Sequence, residues 1–374
     1  MVRARDCIEH LSAAKPGNPA EEAKIELGLD EVINLSSNEN PLGPSQSAIK
    51  SMQEAVTEVH LYPDGNSTDL KHVLSKHLDV KKENLLFGNG SDELIKLIAE
   101  TFIEPGDNVH VFDPSLLEYQ FAAYIMSGNL VRTSLKNMRC NLEKMLHSVN
   151  DNTKLIYISN PHNLTGTIYT QKDLERFMQR VPSHVVVVCD EAYIDYCKDK
   201  NCGTGITLID KYPNLIILRT FSKLYALAGL RVGYAIASKQ LINMIQKVRE
   251  PFNVNSVAQA GAIASLRDQE HMEQSKKCNW RGLKFYYRKL PELNLGYVES
   301  SANFILVDLK GRNDEIIADK LLRKGILVKS GTSIGLKGHI RVSIGLMHQN
   351  YAVIRALNEI LENQQEFRRI SYNE

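Results

Sequence analysis

The chain lacks most features that would mark a special environment. No apolar run in its 374 residues approaches the roughly 20 needed to cross a bilayer. Residues 1–16 carry no signal-peptide apolar core, so a cytoplasmic protein is expected. Neither sign of charge is in excess. The 45 basic and 44 acidic residues leave a formal net charge of +1, which gives no electrostatic footprint for nucleic acid or an anionic membrane. The six cysteines (Cys7, Cys140, Cys189, Cys197, Cys202, Cys278) match no zinc spacing and are too few for a disulfide framework, so reduced, mostly structural thiols are expected. The eleven histidines form no H-E-x-x-H pattern, and His72 and His77, five apart, share a helix face poorly. No metal site is expected, and no repeat or low-complexity stretch is present.

What is there is the pattern of a soluble α/β protein. The length suggests two domains. At 43% hydrophobic and 24% charged, the composition is ordinary for a globular enzyme. From about residue 85, short apolar runs alternate with helical periods. Strands are predicted at 85–87, 109–112, 130–133, 155–158, 185–188, 215–218 and 232–237, and helices at 92–102, 117–126 and 174–179. Such alternation argues βαβ units and a mostly parallel sheet, and continuous apolar strands fit a sheet covered on both faces. After about residue 255 the pattern changes. Helices are predicted at 256–268, 271–289, 314–323 and 351–363, with strands at 304–307 and 340–344, which suggests a smaller second domain. The first forty-odd residues, rich in Asn, Pro, Gly and Ser, read as an arm that packs on something else.

The most informative stretch is 220–234, which opens Thr220-Phe221-Ser222-Lys223-Leu224. It sets one lysine in an apolar and small-residue run, with a hydroxyl beside it and Arg231 eight residues on. A lysine with few polar neighbours is partly desolvated, which favours the neutral amine that Schiff-base chemistry with a carbonyl needs. Ser222 and Arg231 suit a phosphate close to that amine. An amine nucleophile next to a phosphate site suggests pyridoxal phosphate, an aldehyde carrying a phosphate. Most lysines are solvated surface charges, but Lys223 follows the apolar strand 214–219, and open α/β sheets bind ligands beyond the carboxyl ends of their strands.

Three other loops follow strands. Val188-Cys189-Asp190-Glu191-Ala192-Tyr193 ends a buried strand with two carboxylates and a tyrosine. A buried carboxylate needs a cation or donors. Asp190 suits a protonated pyridine nitrogen and equally suits the cap of a following helix. Ser159-Asn160-Pro161-His162-Asn163-Leu164-Thr165-Gly166 is a turn whose Asn163 could donate to a cofactor oxygen. Gly88-Asn89-Gly90-Ser91-Asp92-Glu93 opens a helix. Its glycines let the backbone approach an anion at the helix N-terminus, although it is neither a P-loop nor a dinucleotide fingerprint.

On these blocks, with Ser37 to Ser45, Tyr62-Pro63-Asp64 and Ile340 to Gly345, the chain resembles the fold type I pyridoxal-phosphate enzymes, and most of all the histidinol-phosphate aminotransferases. The blocks run from the arm to the last strand. The resemblance implies a mostly parallel central sheet between helices plus a smaller α/β domain, and pyridoxal 5′-phosphate as cofactor. It divides the chain into an arm with part of the small domain (1–45), a large cofactor-binding domain (46–255) and a small C-terminal domain (256–374). Lys223 would carry the cofactor and shuttle the proton. Asp190 would pair with the pyridine nitrogen, and Tyr193 and Asn163 would bond the ring hydroxyl oxygen. Ser222, Arg231 and the 90–92 turn (Gly90, Ser91, Asp92) would hold the phosphate. Tyr62 would reach the phosphate of a partner subunit in a homodimer with shared sites. Arg341 would grip the substrate carboxylate, and Asn40 would line the substrate pocket.

The sequence departs from that family in four places. Leu116 stands where an aromatic ring usually stacks on the cofactor, which loses on the order of 1 kcal/mol of stacking. Leu164 replaces a turn proline. Ala14 and Lys329 replace a tyrosine and an arginine near the substrate, so Lys329 becomes a candidate substrate contact. These changes leave open a specialised aminotransferase of secondary metabolism or an enzyme like threonine-phosphate decarboxylase. A regulator on the same fold would need a DNA-binding domain for which the chain has no spare length.

Overall fold

The computed structural model describes residues 2–9, 11 and 19–371, with Pro19 and 363–371 by backbone alone. Ala14 lies outside the described residues.

The seven apolar runs read between 85 and 237 form one seven-stranded sheet, ordered Leu85–Gly88, Gly233–Ala237, Leu215–Thr220, Val186–Asp190, Thr153–Ser159, Asn108–Asp113, Asn129–Ser134. Only Gly233–Ala237 runs against the rest. The strands are apolar throughout because both faces are covered. Ile216 and Leu218 pack with Leu94, Ile98 and Leu241 from the helices Gly90–Phe102 and Lys239–Ile245. Leu215 and Ile217 point to the opposite face, toward Leu174 and Leu70 respectively.

Strand register builds the site. Ser159 pairs with Asp190, and Gly233 pairs with both Gly88 and Thr220. The carboxyl ends of Leu85–Gly88, Thr153–Ser159, Val186–Asp190 and Leu215–Thr220 therefore emerge along one sheet edge. The four loops singled out above all leave from that edge.

A second, four-stranded antiparallel sheet runs Lys329–Ser330, His339–Ser343, Phe304–Asp308, Gly296–Val298. Its core joins Ile305, Val307 and Val342 to Leu283, Tyr286, Ile317, Leu321, Val353 and Leu357 from the helices Gln269–Glu292, Asp314–Arg323 and Met347–Ser371. The helix Ser256–Arg267 packs elsewhere. Its Ala258 and Ala262 share the large sheet's core with Leu70 and Leu74, against the helices Gln46–Val56 and Thr68–Leu78. The arm crosses between the two bodies. Ile33–Asn34 pairs in parallel with Ile326–Leu327, and the Asn38 amide donates to Ser343 Oγ at 2.8 Å. Among the described residues, no helix is long and apolar enough to cross a membrane, and no group of three His, Cys, Asp or Glu side chains is placed to hold a metal ion.

Candidate active site

The two adjacent carboxylates at the end of Val186–Asp190 have opposite fates. Glu191 is buried against Arg219, which donates from Nη2 at 2.7 Å and from Nε at 3.0 Å, and it also accepts from the Gly205 amide. Asp190 is buried with no cation beside it among the described residues. It accepts the Tyr119 hydroxyl at 2.5 Å and the Ala192 amide at 3.0 Å. Burial pushes its carboxyl up to about 6, while the Tyr119 and Ala192 bonds pull the other way. A buried carboxylate so placed is a receptor for an external cation or N–H donor.

Lys223 is half-buried. Its Nζ donates to the Ser37 carbonyl at 3.1 Å and stands 5.8 Å from the centre of the Tyr193 ring. Tyr193 is fixed from two sides, by Asn38 Nδ2 donating to its hydroxyl at 3.0 Å and by an edge contact with Phe304 at 5.4 Å. Asn38 takes a positive φ of 57° and is tied by its carbonyl to Asn303 and by its Oδ1 to Ser343, so the small sheet positions the arm against Lys223.

The phosphate-like corner comes from chain crossings. Gly90 has φ +81°, and a Cβ there would lie 2.5 Å from Arg231 Nη2. Gly233 brings the chain so near the Ser91 amide that its own Cβ would lie 2.8 Å away. Arg231, itself at φ 56°, bonds Asp92 at 2.8 Å. Ser222 is buried and held by Thr220 Oγ1 at 3.0 Å. A helix N-terminus and a guanidinium meet at Gly90, and Ser222 follows the end of the strand Leu215–Thr220.

On the opposite side, Arg341 donates to the carbonyls of Asn163 at 3.2 Å and Ser36 at 3.0 Å, lies 5.2 Å from the Phe304 ring centre and leaves Nε without a partner. Burial pushes the guanidinium below its ordinary value. With no carboxylate paired to it among the described residues, it awaits an anion. Lys329 is exposed and directly opposite Arg341 in the strand register, so both cations share one sheet face.

Other expected residues are held by partners of their own, and Asn40 also lines a cavity with Ser222 and Ser343. Asn40 spends its side chain within the protein, donating to the Leu224 carbonyl and Ser275 Oγ and accepting from the Leu42 amide. Asn163 donates to Tyr119 at 3.2 Å, while its Oδ1 is buried without a partner. Leu116 packs against the large core ahead of the helix Leu117–Ile125. Leu164 bridges to Leu306 and Leu336 of the second body, and its preceding peptide is not among the cis bonds, which fall at Asp113-Pro114 and Asn160-Pro161. Tyr62 is 84% exposed and stacks on Phe252 at 4.8 Å. The sequence reading missed Tyr119, although a tyrosine in so apolar a helix needs a partner for its hydroxyl.

Residues 30–357 match the family model described as aminotransferase class I and II. The chain belongs to that family. The histidinol-phosphate aminotransferases of Moorella thermoacetica and Caldicellulosiruptor saccharolyticus are each 45% identical to this aminotransferase, covering 96% of it and 94% and 99% of their own lengths. The crystal structure of histidinol-phosphate aminotransferase from Sinorhizobium meliloti in complex with pyridoxal-5′-phosphate superposes with a TM-score of 0.90 at 27% identity, over 97% of this chain and 99% of that one. The site suits such a group. Among the described residues no cation stands beside Asp190, and Arg231 closely approaches Gly90, the residue before Ser91.

Proposed function

We propose that this enzyme transfers the amino group of histidinol phosphate to 2-oxoglutarate, with pyridoxal 5′-phosphate as cofactor and as a homodimer. The observation that carries the reading is Asp190, a buried carboxylate without a cation, on the same sheet edge as Lys223. Lys223 would attach the cofactor and move the proton. Asp190 would pair with the pyridine nitrogen. Tyr193 and Asn163 would bond the ring oxygen, and Ser222, Arg231 and the 90–92 turn would hold the phosphate. When bound, pyridoxal 5′-phosphate supplies an aldehyde that captures the amine and a ring that withdraws electrons from the carbon beside it. The half-buried Lys223 amine can then take the proton from that carbon and return it elsewhere. Tyr62, exposed beside Leu61, Val59 and Phe252, fits the surface where a second copy would meet this one. A cytoplasmic location and a step in histidine biosynthesis belong to the same reading. So does the division into an arm, a large domain and a small domain, with the helix Ser256–Arg267 joining the large one.

Histidinol phosphate offers a phosphate where glutamate and 2-oxoglutarate offer a carboxylate, so one cationic site must serve both. Arg341→Ala is expected to raise KM for histidinol phosphate and for 2-oxoglutarate alike, by about 10- to 100-fold. Lys329, exposed and next to it, adds its charge for the dianion. Lys329→Ala is expected to raise KM for histidinol phosphate about 2- to 5-fold and to spare 2-oxoglutarate. Steady-state kinetics with each substrate varied in turn separates the two. Equal effects of Lys329→Ala on both would remove it from phosphate recognition.

Gly90→Ala forces a side chain into a left-handed backbone and against Arg231. A loss of roughly 1–3 kcal/mol in denaturant unfolding is expected, together with weaker cofactor binding in a titration of the cofactor-free protein.

A further inference from the structure

Tyr119 stands where three parts of the site meet. It comes from the helix Leu117–Ile125, is 1% exposed, and stacks on Tyr157 with ring centres 4.7 Å apart and planes within 4°. Tyr157 is anchored by its hydroxyl to the Ile95 carbonyl at 3.1 Å. The Tyr119 hydroxyl donates to Asp190 Oδ2 at 2.5 Å and accepts from Asn163 Nδ2 at 3.2 Å. The Asn163 carbonyl in turn receives Arg341. One phenol thus joins the carboxylate at the cofactor end to the loop whose Asn163 carbonyl receives the substrate-side arginine from the strand His339–Ser343.

We propose that Tyr119 is a positioning residue that aims Asp190 and keeps it ionised, and that ties its place to the Asn163 loop. The inference rests on the reading of Asp190 as the carboxylate that meets the pyridine nitrogen. The charged and titratable groups around Asp190 otherwise give it little help. Asp92 on the helix Gly90–Phe102 and the adjacent Glu191 both oppose its charge, and Arg219 is occupied by Glu191. Glu118 and Tyr157 flank Tyr119 itself, and burial, then Asp190, holds the phenol well above its ordinary value. Tyr119 therefore stays a donor across the working range. The only other hydrogen bond the Asp190 carboxylate accepts among the described residues is from the Ala192 amide.

The test is a titration of cofactor-free protein with pyridoxal 5′-phosphate from pH 5 to 9. Wild type, Tyr119→Phe, Tyr157→Phe and Asp190→Asn are compared, and thermal unfolding checks each fold. Tyr119→Phe keeps the stacked ring and loses only the hydroxyl. Affinity is expected to fall about 10-fold, and the acid limb of the affinity profile is expected to move to higher pH, because Asp190 then holds its proton longer. Tyr157→Phe removes a neighbouring buried hydroxyl bond that does not touch Asp190, and is expected to leave the limb in place. An unmoved limb in Tyr119→Phe, or an equal shift in Tyr157→Phe, overturns the inference. Asp190→Asn separates it from its premise. If that variant binds as wild type does, the reading of Asp190 fails. If it binds weakly while Tyr119→Phe binds normally, only the role of Tyr119 fails.

Discussion

Lys223→Ala is expected to lower kcat by at least about 10³-fold while the protein still folds. Proton transfer by a positioned side chain is itself worth about 10²–10⁴, and in the proposed function the same amine would also be the point of covalent attachment. Folding should survive because Lys223 is half-buried and its side chain makes one hydrogen bond among the described residues, to the Ser37 carbonyl. Its neighbours are fixed independently of it. Ser222 is held by Thr220, and Tyr193 by Asn38 and Phe304. The phosphate corner at Gly90, Ser91 and Arg231 is untouched, so cofactor affinity should fall less than activity. Reductive trapping of the bound cofactor followed by peptide mapping should mark Lys223 in the wild type and no lysine in the variant. A variant with more than a tenth of wild-type turnover would remove Lys223 from the chemistry.

Asp190→Asn is expected to pull function and stability in opposite directions. In the cofactor-free protein burial raises the carboxyl from 3.8 to about 6. A folded value above the unfolded one means that the folded state binds the proton more tightly. This group's contribution is therefore most favourable below about pH 4 and is lost as pH rises through 6. The loss at neutral pH is roughly 1–3 kcal/mol. An asparagine carries no charge to desolvate, so the cofactor-free variant should match or exceed wild-type stability at pH 7. Its unfolding free energy should lose the fall between pH 4 and 6. Function should suffer, because an amide oxygen cannot keep a pyridine nitrogen protonated. Cofactor affinity is expected to drop by about 10- to 100-fold, and kcat more steeply. A residue held for function at a cost in stability behaves this way. If Asn at 190 destabilises the cofactor-free protein at neutral pH, Asp190 is a structural anchor instead.

Much of this was legible in the sequence because the large sheet is built from long apolar runs with loops at their ends. All seven runs became strands, and register alone brought Gly88, Asp190 and Thr220 to one edge. The second body was harder to read. Gly296–Val298 and Lys329–Ser330 are too short to show a period, yet Lys329–Ser330 places Lys329 beside Arg341. Long-range hydrogen bonds left no sequence signal. Tyr119 reaches Asp190 across 71 positions, and Asn38 reaches Ser343 across 305. Asn40, which the resemblance places at the pocket, also ties the arm to Leu224 and Ser275 through bonds with no sequence signal. Leu164 stands in place of a turn proline, and its contact with Leu306 and Leu336 of the second body has no signal in the sequence.

The most direct test is to incubate the purified, cofactor-loaded enzyme with histidinol phosphate and 2-oxoglutarate and to follow glutamate. Glutamate should accumulate with wild type, stay at background with Lys223→Ala, and require much more histidinol phosphate with Arg341→Ala. No glutamate from histidinol phosphate, under conditions where another amino donor sustains turnover, would contradict the assigned substrate. Release of carbon dioxide in place of amino transfer would contradict the assigned reaction.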